Sequence, residues 1–304
     1  MKQEFRANGK LLITGEYLVL QGAWALALPL NKGQSMSVET IKAAELHWQA
    51  YSQGKLWFKA IFDNKLNVIK SSDPAYSQRL QNILNMALMQ DSETIEKMLG
   101  VRVRTELEFD PRWGWGSSST LLYLLSTWLG INPYKLLDLS FGGSGYDIAC
   151  AGSNKPIFYR RLPQQKPEIE EVTFNPPFID RLYLLWLEKK QSSSSEVKAF
   201  LQKDQAQPEA IEKINAIGRA MLRSQSAEAF GLLMRQHELI ISQILKRPTV
   251  KELHFSDFDG YIKSLGAWGG DFALINSPLP HSVLSGYFAD KGFHTLISLK
   301  SVIL

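Results

Sequence analysis

Glycines and hydroxyls are concentrated between residues 114 and 120, where the sequence reads GWGSSST. The stretch follows an alternating, strand-like run and precedes an apolar, helix-like run. Glycine allows positive φ and lets a ligand come close to the backbone, while free N–H groups and hydroxyls at a helix start bind anions well. The stretch therefore predicts a phosphate site. The alternative is a tight strand-to-helix turn in which a serine caps the helix.

Two further glycine-rich segments lie far away in the sequence, at residues 8–17 (NGKLLITGEY) and 265–272 (LGAWGGDF). GWGSSS lacks the third glycine of a dinucleotide-binding fingerprint, and the GxxxxGK[ST] pattern of a P-loop does not occur in the sequence. GGDF at 269–272 is similar to part of a cyclic-dinucleotide cyclase signature, but the acidic residue that should follow is absent. None of these three classes is favoured.

Taken in order, the three segments resemble motifs of the GHMP kinases, the family of galactokinase, homoserine kinase, mevalonate kinase and phosphomevalonate kinase. ANGKLLITGEYLVLQG at 7–22 is similar to the first motif, PGKxxLxGEhxVxxG, with Asn8 where proline is usual. GWGSSS is similar to the phosphate loop GLGSSA, and LGAWGGDFAL at 265–274 is similar to the third motif, GxGxGGxxxxL. The resemblance spans nearly the whole chain.

A fourth segment narrows the resemblance. GGSGYDIA at 142–149 resembles the SGxD segment of mevalonate kinases and, more closely, the GSGxDVA segment of phosphomevalonate kinases. The resemblance therefore implies that Asp147 is the catalytic carboxylate. The alternative for this residue is a turn aspartate that accepts hydrogen bonds from its own backbone.

The resemblance implies an ATP- and Mg²⁺-dependent kinase of a small molecule. Asp147 would orient or deprotonate the acceptor, and Lys10 would stabilise the transferring phosphate. Glu16 could anchor Lys10 or could be a turn carboxylate. A hydroxyl of the phosphate loop, Ser118, would reach the metal ion. The predicted catalytic residues are Asp147 and Lys10, the predicted nucleotide-binding residues are Gly114, Gly116, Ser117, Ser118, Ser119, Gly266, Gly269 and Gly270, and the predicted metal ligand is Ser118.

The sequence also departs from the family pattern. The segment between Ser119 and Asp147 looks shorter than usual, and the family's Mg²⁺-binding glutamate has no evident counterpart there, since Asp138 is the only acid in the interval. Three hypotheses follow. The first is a kinase for a mevalonate- or phosphomevalonate-like acceptor, the second is a nucleotide-binding regulatory protein that kept the kinase fold, and the third is a GHMP kinase for a sugar or an amino acid.

The elements that position these motifs follow from hydrophobic periodicity. The predicted strands are Lys10–Thr14, Ala23–Leu30, antiparallel strands within 36–70 with turns at 52–54 and 63–64, Val101–Phe109, Leu182–Leu187 and Phe272–Ile275. The predicted helices are Ala75–Leu88, Leu121–Leu129, Glu209–Gln225 and Ala227–Lys246. Strands followed by helices in each half favour an α+β fold with two lobes and a site in the crevice between them.

Prolines and charges at 163–177 place the boundary between the lobes, so that 1–162 is the ATP-binding lobe and 163–304 an α+β lobe. The family resemblance implies that the first lobe resembles ribosomal protein S5 domain 2 and that the second is ferredoxin-like. The polar stretch KKQSSSSEV at 189–197 either supplies anion contacts or is a solvated loop that ends in a serine cap.

Composition excludes several classes of protein. The 304 residues carry a formal charge of +4, without the basic arm or stripe that follows a nucleic-acid backbone. The single cysteine, Cys150, rules out an internal disulfide, and the five histidines lack the spacing of a zinc site. No signal-peptide core or membrane-length apolar run is present. We therefore expect a cytoplasmic protein with a small-molecule substrate, and with neither nucleic acid nor membrane as a partner; the oligomeric state stays open.

Overall fold

The computed structural model describes residues 2–162, 165–188, 200, 207–266, 268 and 270–304. Their contacts divide the chain into two compact units, each of them built from several segments. The first unit contains 2–9, 32–111 and 115–152, and the second contains 10–31, 112–114 and 153–304. The strands β1 (Lys2–Leu12) and β2 (Ala25–Thr40) each contribute residues to both units. The predicted boundary after residue 162 stays a prediction.

The first unit contains a mixed sheet in which β1 pairs with β2. Its other strands are β3 (Leu46–Ser52), β4 (Lys55–Phe62), β5 (Val68–Ser71) and β6 (Val101–Leu107). β2 pairs antiparallel with β6, β6 parallel with β3, and β3 antiparallel with β4, which pairs antiparallel with β5. Gln53 and Gly54 both have positive φ between β3 and β4, as a tight hairpin requires. This turn confirms the predicted one at 52–54.

Helices cover this sheet and form the core of the first unit with it. They are α1 (Pro74–Gln90), α2 (Thr94–Met98), α3 (Ser117–Leu129), α4 (Pro133–Ser140) and α5 (Tyr146–Ala151). Asp73 caps α1 by accepting the N–H groups of Ala75 and Tyr76. α3 packs against both α4 and α5. The start of α3 is thereby held on a buried apolar layer.

The second unit contains two groups of antiparallel strands. The first part of β2 pairs with β7 (Ile157–Arg160), which pairs with β8 (Glu168–Glu171). The other strands form a sheet in the order β10-β11-β9-β12. Their bounds are β9 (Leu182–Trp186), β10 (Tyr261–Leu265), β11 (Phe272–Asn276) and β12 (Leu296–Ser298).

The helices of the second unit are α6 (Pro208–Arg223), α7 (Ala227–Leu245), α8 (Val250–His254) and α9 (His281–Asp290). α7 and α8 pack against β10. A buried cluster of aromatic and aliphatic side chains that includes Phe255, Phe288 and Leu284 fills the space beside the sheet. No helix in the described part of the chain is both long enough and apolar enough to cross a membrane.

Most predicted elements are present, with different ends. The strand predicted from Lys10 is the end of β1, which begins at Lys2, and the strand predicted at Ala23–Leu30 continues to Thr40. Polar residues at 31–35 suggested a break, but the backbone of β2 goes on to pair with β6. β8 was missed because all four of its side chains are exposed. The stretch 189–197 lies outside the described residues.

Candidate functional site

The helix α3 begins after a glycine that cannot cap it with a side chain. Gly116 is the N-cap residue, with φ of 94°, and it makes no side-chain cap hydrogen bond. The serine cap considered from the sequence is therefore wrong. N–H groups in a first helical turn have no partner within the helix, so those of Ser117, Ser118 and Ser119 are the ones that an anion would bind.

The hydroxyls of this stretch fall into two classes. Ser119 and Thr120 are buried: Ser119 donates to the carbonyl of Gly116 at 2.9 Å, and Thr120 donates to Oε1 of Gln34 at 2.7 Å. The structure offers no partner among its described residues for the hydroxyls of Ser117 and Ser118, and Ser118 is exposed. Two hydroxyls thus stabilise the loop, and two remain available to a ligand.

Trp115 anchors the same loop in the first unit. Its side chain is only 1% exposed and packs edge-on against Phe109, with the ring centroids 5.7 Å apart. Phe109 follows the end of β6, so this contact ties the loop to the sheet. A large apolar residue between the two glycines is therefore explained by packing.

Asp147 lies at the start of α5, which packs against α3. Gly145, with φ of 87°, is the N-cap of α5, and Asp147 is the second residue of the helix. Its Oδ1 accepts the N–H of Ile148 at 3.0 Å, while Oδ2 has no partner among the residues described. One oxygen therefore behaves as the turn alternative expects, and the other is available.

Gly152, at the end of α5, lies close to Tyr123 of α3. A Cβ on this glycine would lie 2.6 Å from the hydroxyl oxygen of Tyr123, so a side chain there would require the tyrosine ring to move. The first unit thus packs the helix that follows Gly116 against the helix that carries Asp147.

Lys10 and Glu16 both lie in the second unit. Glu16 is 2% exposed and forms an ion pair with Lys263 of β10. Burial raises the pKa of Glu16, and the charge of Lys263 opposes this shift more strongly than that of Lys10 does. Glu16 thus pairs with Lys263 and also feels the charge of Lys10, and the expected anchoring of Lys10 by Glu16 stays a prediction. Lys10 itself is half-buried in β1.

Glu16 and Lys263 belong to what we call the buried polar cluster, which consists of Glu16, His237, Glu238, Lys263 and Ser264. Nε2 of His237 accepts the N–H of Gly15 at 3.1 Å, in the turn of the first sequence motif. Burial, followed by the nearby charge of Lys263, lowers the pKa of His237 well below its usual value. The imidazole is therefore neutral and does not form an ion pair with Glu16.

Glu238 completes the buried polar cluster. Its carboxylate accepts two hydrogen bonds from Ser264, from the backbone N–H at 3.0 Å and from the hydroxyl at 2.8 Å. Burial raises the pKa of Glu238 to about 7. Sequence reasoning missed this cluster, although α7 contained a signal: Phe230, Met234 and Ile241 form a helical core stripe, and His237 lies on the same face.

Gly114 of the second motif and Gly266 of the third motif both border the carboxylate of Asp271, which the sequence did not single out. Gly114 and Gly266 have φ of 62° and 70°. A Cβ on Gly114 would lie 2.8 Å from Oδ1 of Asp271 and still closer to Oδ2, so the absence of a side chain makes room for this carboxylate. Gly270 is buried beside Asp271, and Gly269 lies outside the described residues.

The described residues contain no group of three or more histidine, cysteine, aspartate or glutamate side chains that could hold a metal ion. Cys150 is buried and forms no disulfide.

Solved structures with the same fold include kinases of small molecules. The mevalonate kinase of L. major in complex with R-mevalonate has a TM-score of 0.68 and 16% identity, covering 97% of this chain and 96% of that chain. The phosphomevalonate kinase of Streptococcus pneumoniae in complex with phosphomevalonate and AMPPNP has a TM-score of 0.69 and 17% identity, covering 97% and 99%. The Lactococcus lactis galactokinase complexed with galactose has a TM-score of 0.65 and 13% identity, covering 96% and 89%.

No family model and no curated protein sequence matches the chain. The structural likeness nevertheless extends over nearly the full length of this chain and of each of these enzymes. It confirms the resemblance inferred from the four motifs at the level of the fold. The chain has the mixed α/β fold of the GHMP kinases.

Proposed function

We propose that the protein is an ATP-dependent kinase that transfers the γ-phosphoryl group to a small molecule. The observation that carries the proposal is the start of α3, where the N-cap is Gly116, which has no side chain, and where the hydroxyls of Ser117 and Ser118 have no partner among the described residues. The proposal is also supported by the fold, which the chain shares with solved kinases over nearly its whole length. Such a helix start binds phosphate through its amides and its dipole.

The residues at the start of α3 would divide the work of binding ATP. The N–H groups of Ser117, Ser118 and Ser119 would hold phosphate oxygens. The hydroxyl of Ser119 is already used within the loop, so this residue would contribute its amide alone. In the second unit, Gly266 and Gly270 would let the backbone approach the nucleotide.

The exposed hydroxyl of Ser118 fits a magnesium ligand, because Mg²⁺ prefers oxygen donors and is usually completed by substrate phosphates and water. When bound, Mg²⁺ would neutralise charge on the transferring phosphate. The hydroxyl has no competing partner among the described residues, so it can take this role without breaking a contact.

Asp147 and Lys10 would act on the transfer itself. Oδ2 of Asp147 would accept a hydrogen bond from the acceptor, orienting it, and would take its proton if the acceptor is a hydroxyl. The ammonium group of Lys10 would stabilise negative charge that develops on the phosphate. Phosphoryl transfer needs such placement and charge stabilisation more than covalent chemistry.

We propose a mevalonate- or phosphomevalonate-like acceptor. The segment GGSGYDIA, which contains Asp147, resembles the corresponding segment of the phosphomevalonate kinases, and the structural neighbours include enzymes in complex with R-mevalonate and with phosphomevalonate. A galactokinase has the same fold, so a sugar acceptor is the competing possibility. The same proposal places the protein in the cytoplasm.

A panel experiment tests this proposal. Release of ADP is measured with Mg·ATP and each of mevalonate, phosphomevalonate, homoserine and galactose, for the wild type and for Asp147→Asn. We expect one of the first two acceptors to be phosphorylated by the wild type and not measurably by the variant. Turnover with galactose alone would change the acceptor class, and equal turnover by the variant would remove Asp147 from the mechanism.

A second candidate is a nucleotide-binding protein without kinase activity. It is favoured by the single acid between α3 and α5, Asp138, which is exposed and does not replace the missing glutamate. This candidate predicts that ATP raises the Tm while no acceptor in the panel is phosphorylated. Transfer to any acceptor would exclude it.

A further inference from the structure

The backbone of Tyr17, in the first motif, has a strained conformation. Its φ is 61° and its ψ is −48°, and the N–H of Leu18 donates to the carbonyl of Glu16 at 2.7 Å. This is a γ-turn of the positive-φ form, which is rare and strained, and positive φ is unusual for a large side chain. Such strain persists only where the surrounding contacts hold it, and it is concentrated at active sites and ligand clamps.

The turn at Tyr17 is connected to the third motif by two contacts within the second unit. Glu16 forms its ion pair with Lys263 of β10, the strand that ends at the first residue of the third motif. The hydroxyl oxygen of Tyr17 accepts the backbone N–H of Trp268 at 3.0 Å, inside the third motif. All four residues are buried, so water does not compete for these contacts.

Trp268 lies between two predicted nucleotide contacts, Gly266 and Gly270. Its indole N–H donates to the carbonyl of Pro248 at 3.1 Å, so the side chain has an anchor of its own. The hydrogen bond from the Trp268 backbone to Tyr17 is a separate contact. It acts directly on the main chain of the third motif, while the indole bond acts on the ring.

The position of this main chain matters because glycines have no side chain with which to reach a ligand. Gly266 and Gly270 could contact a phosphate only through their backbone. A buried N–H that loses its acceptor costs free energy, so without the hydroxyl the backbone at Trp268 would spend part of its time in other positions. A ligand that requires one position then binds more weakly, by the factor by which that position is depopulated.

We propose that Tyr17 is a positioning residue for nucleotide binding. Its hydroxyl holds the backbone of Trp268, and with it the neighbouring Gly266 and Gly270, in the position that admits the nucleotide. This inference rests on the proposed binding of ATP. It gives the strained turn of the first motif a purpose, since the γ-turn directs the tyrosine side chain to the third motif.

The substitution Tyr17→Phe tests the proposal because it removes the hydroxyl and keeps the ring, which packs against Phe200 with the centroids 5.3 Å apart. Phenylalanine is as bulky as tyrosine near the backbone, so the strain at position 17 stays the same. Calorimetric titration of the full chain with Mg·AMPPNP should give a Kd about tenfold higher for the variant, the scale of one unsatisfied buried amide. This comparison does not require that the acceptor be known.

Kinetics with the acceptor found in the panel separate positioning from a merely structural role. The KM for ATP should rise about tenfold in Tyr17→Phe while kcat changes less than about twofold, because the lost contact serves ground state and transition state alike. A merely structural role would instead lower the active fraction, and with it kcat, at unchanged KM.

Tyr287→Phe is the matched control. It removes a tyrosine hydroxyl that donates to Asp257 at 2.9 Å, in the same unit and outside the three glycine-rich segments, so its Kd should equal that of the wild type. All proteins are measured well below their Tm. If Tyr17→Phe is not folded in buffer, it is titrated beside the wild type in sucrose, which favours the compact state.

A folded Tyr17→Phe with the wild-type Kd, or one that loses kcat at unchanged KM, overturns the inference alone. If the wild type does not bind AMPPNP, the proposed function fails and this inference fails with it.

Discussion

The start of α3 and the buried polar cluster use polar groups in opposite ways. At the start of α3, the N-cap Gly116 has no side chain to cap the amides, and the described residues give the hydroxyls of Ser117 and Ser118 no partner. In the buried polar cluster, Lys263 pairs with Glu16, and Glu238 accepts two hydrogen bonds from Ser264. The first region keeps its polar groups available, while the second satisfies most of them internally.

The difference indicates which property a substitution should change. Removing one member of a buried, paired set leaves its partner unsatisfied, which costs stability. Removing an unpaired group at an accessible helix start leaves the fold intact and changes ligand binding instead. The predictions below test this separation, from the largest expected effect to the smallest.

Lys263→Met should have the largest effect on stability. The substitution keeps most of the volume but leaves the carboxylate of Glu16 buried without its ion-pair partner, which typically costs about 3–5 kcal/mol. Urea denaturation measures the change in the free energy of unfolding. The control is Lys300→Met, which breaks the exposed pair with Asp180 and should leave stability near that of the wild type. Equal effects of the two substitutions would show that the cluster does not stabilise the second unit.

Asp147→Asn should lower kcat on the order of 100-fold or more, because the proposed acid–base and orienting role acts mainly in the transition state. The Tm and the affinity for AMPPNP should stay close to the wild-type values. Steady-state kinetics with the acceptor found in the panel, together with calorimetry, provide the measurement. A variant with near-normal kcat would leave Asp147 with only its hydrogen bond to Ile148.

The stability of Glu238→Gln relative to that of the wild type should increase as the pH rises. The pKa of Glu238 is raised from 4.5 to about 7 in the folded state, so its contribution to stability is present below pH 4.5 and is lost as the pH rises through 7. Glutamine cannot ionise. The difference in unfolding free energy between the two proteins should therefore move by about 2 kcal/mol in favour of glutamine from pH 5 to pH 8.

Urea denaturation at both pH values measures this change. The other titratable groups of the cluster, Glu16, His237 and Lys263, are the same in both proteins, so their direct contributions largely cancel in the difference. The control is Glu212→Gln, at an exposed position, which shows how much of the pH-dependent change in stability comes from removing any carboxylate. A difference for position 238 that does not vary with pH would mean that the carboxylate is ionised in the folded protein throughout this range.

Ser118→Ala should have the smallest effect, a roughly fivefold higher requirement for Mg²⁺ or ATP with unchanged stability, the scale of one hydrogen bond. Ser119→Ala is the informative counterpart, because its hydroxyl donates to Gly116 inside the loop. That variant should lose some stability and keep its ligand requirement once folded. The opposite pattern would reverse the division of the loop into structural and available hydroxyls.

Much of the fold could be predicted from periodicity. Alternation found β6 and the strands of the first unit, and apolar spacing found α1, α6 and α7 to within a few residues. The ends were less accurate, as in β2, where pairing with a neighbouring strand continues through polar residues. Pairing between strands depends on backbone hydrogen bonds as well as on side-chain types, so a side-chain pattern alone does not locate the end.

The candidate site was predictable only in part. The glycines and serines of 114–120 indicated a helix start suited to an anion, and the structure corrected the cap from a serine to Gly116. The partner of Glu16 could not be predicted, because Lys263 is far away in the sequence and lies in a mostly buried strand. His237 and Glu238 have the helical spacing of residues on a buried face, but histidine and glutamate side chains are seldom fully buried in proteins.

The sequence by itself determined the local chemistry of this protein: where glycine permits positive φ, where hydroxyls follow it, and in which order the motifs occur. Only the tertiary structure decided which of those groups are already used. The hydroxyl of Thr120 is taken by Gln34, the charge of Glu16 is paired with Lys263, and the space above Gly114 is filled by Asp271. The physical reason is that each of these partners comes from a distant segment, and a partner is specified only when the packing of the strands and helices brings the two segments together.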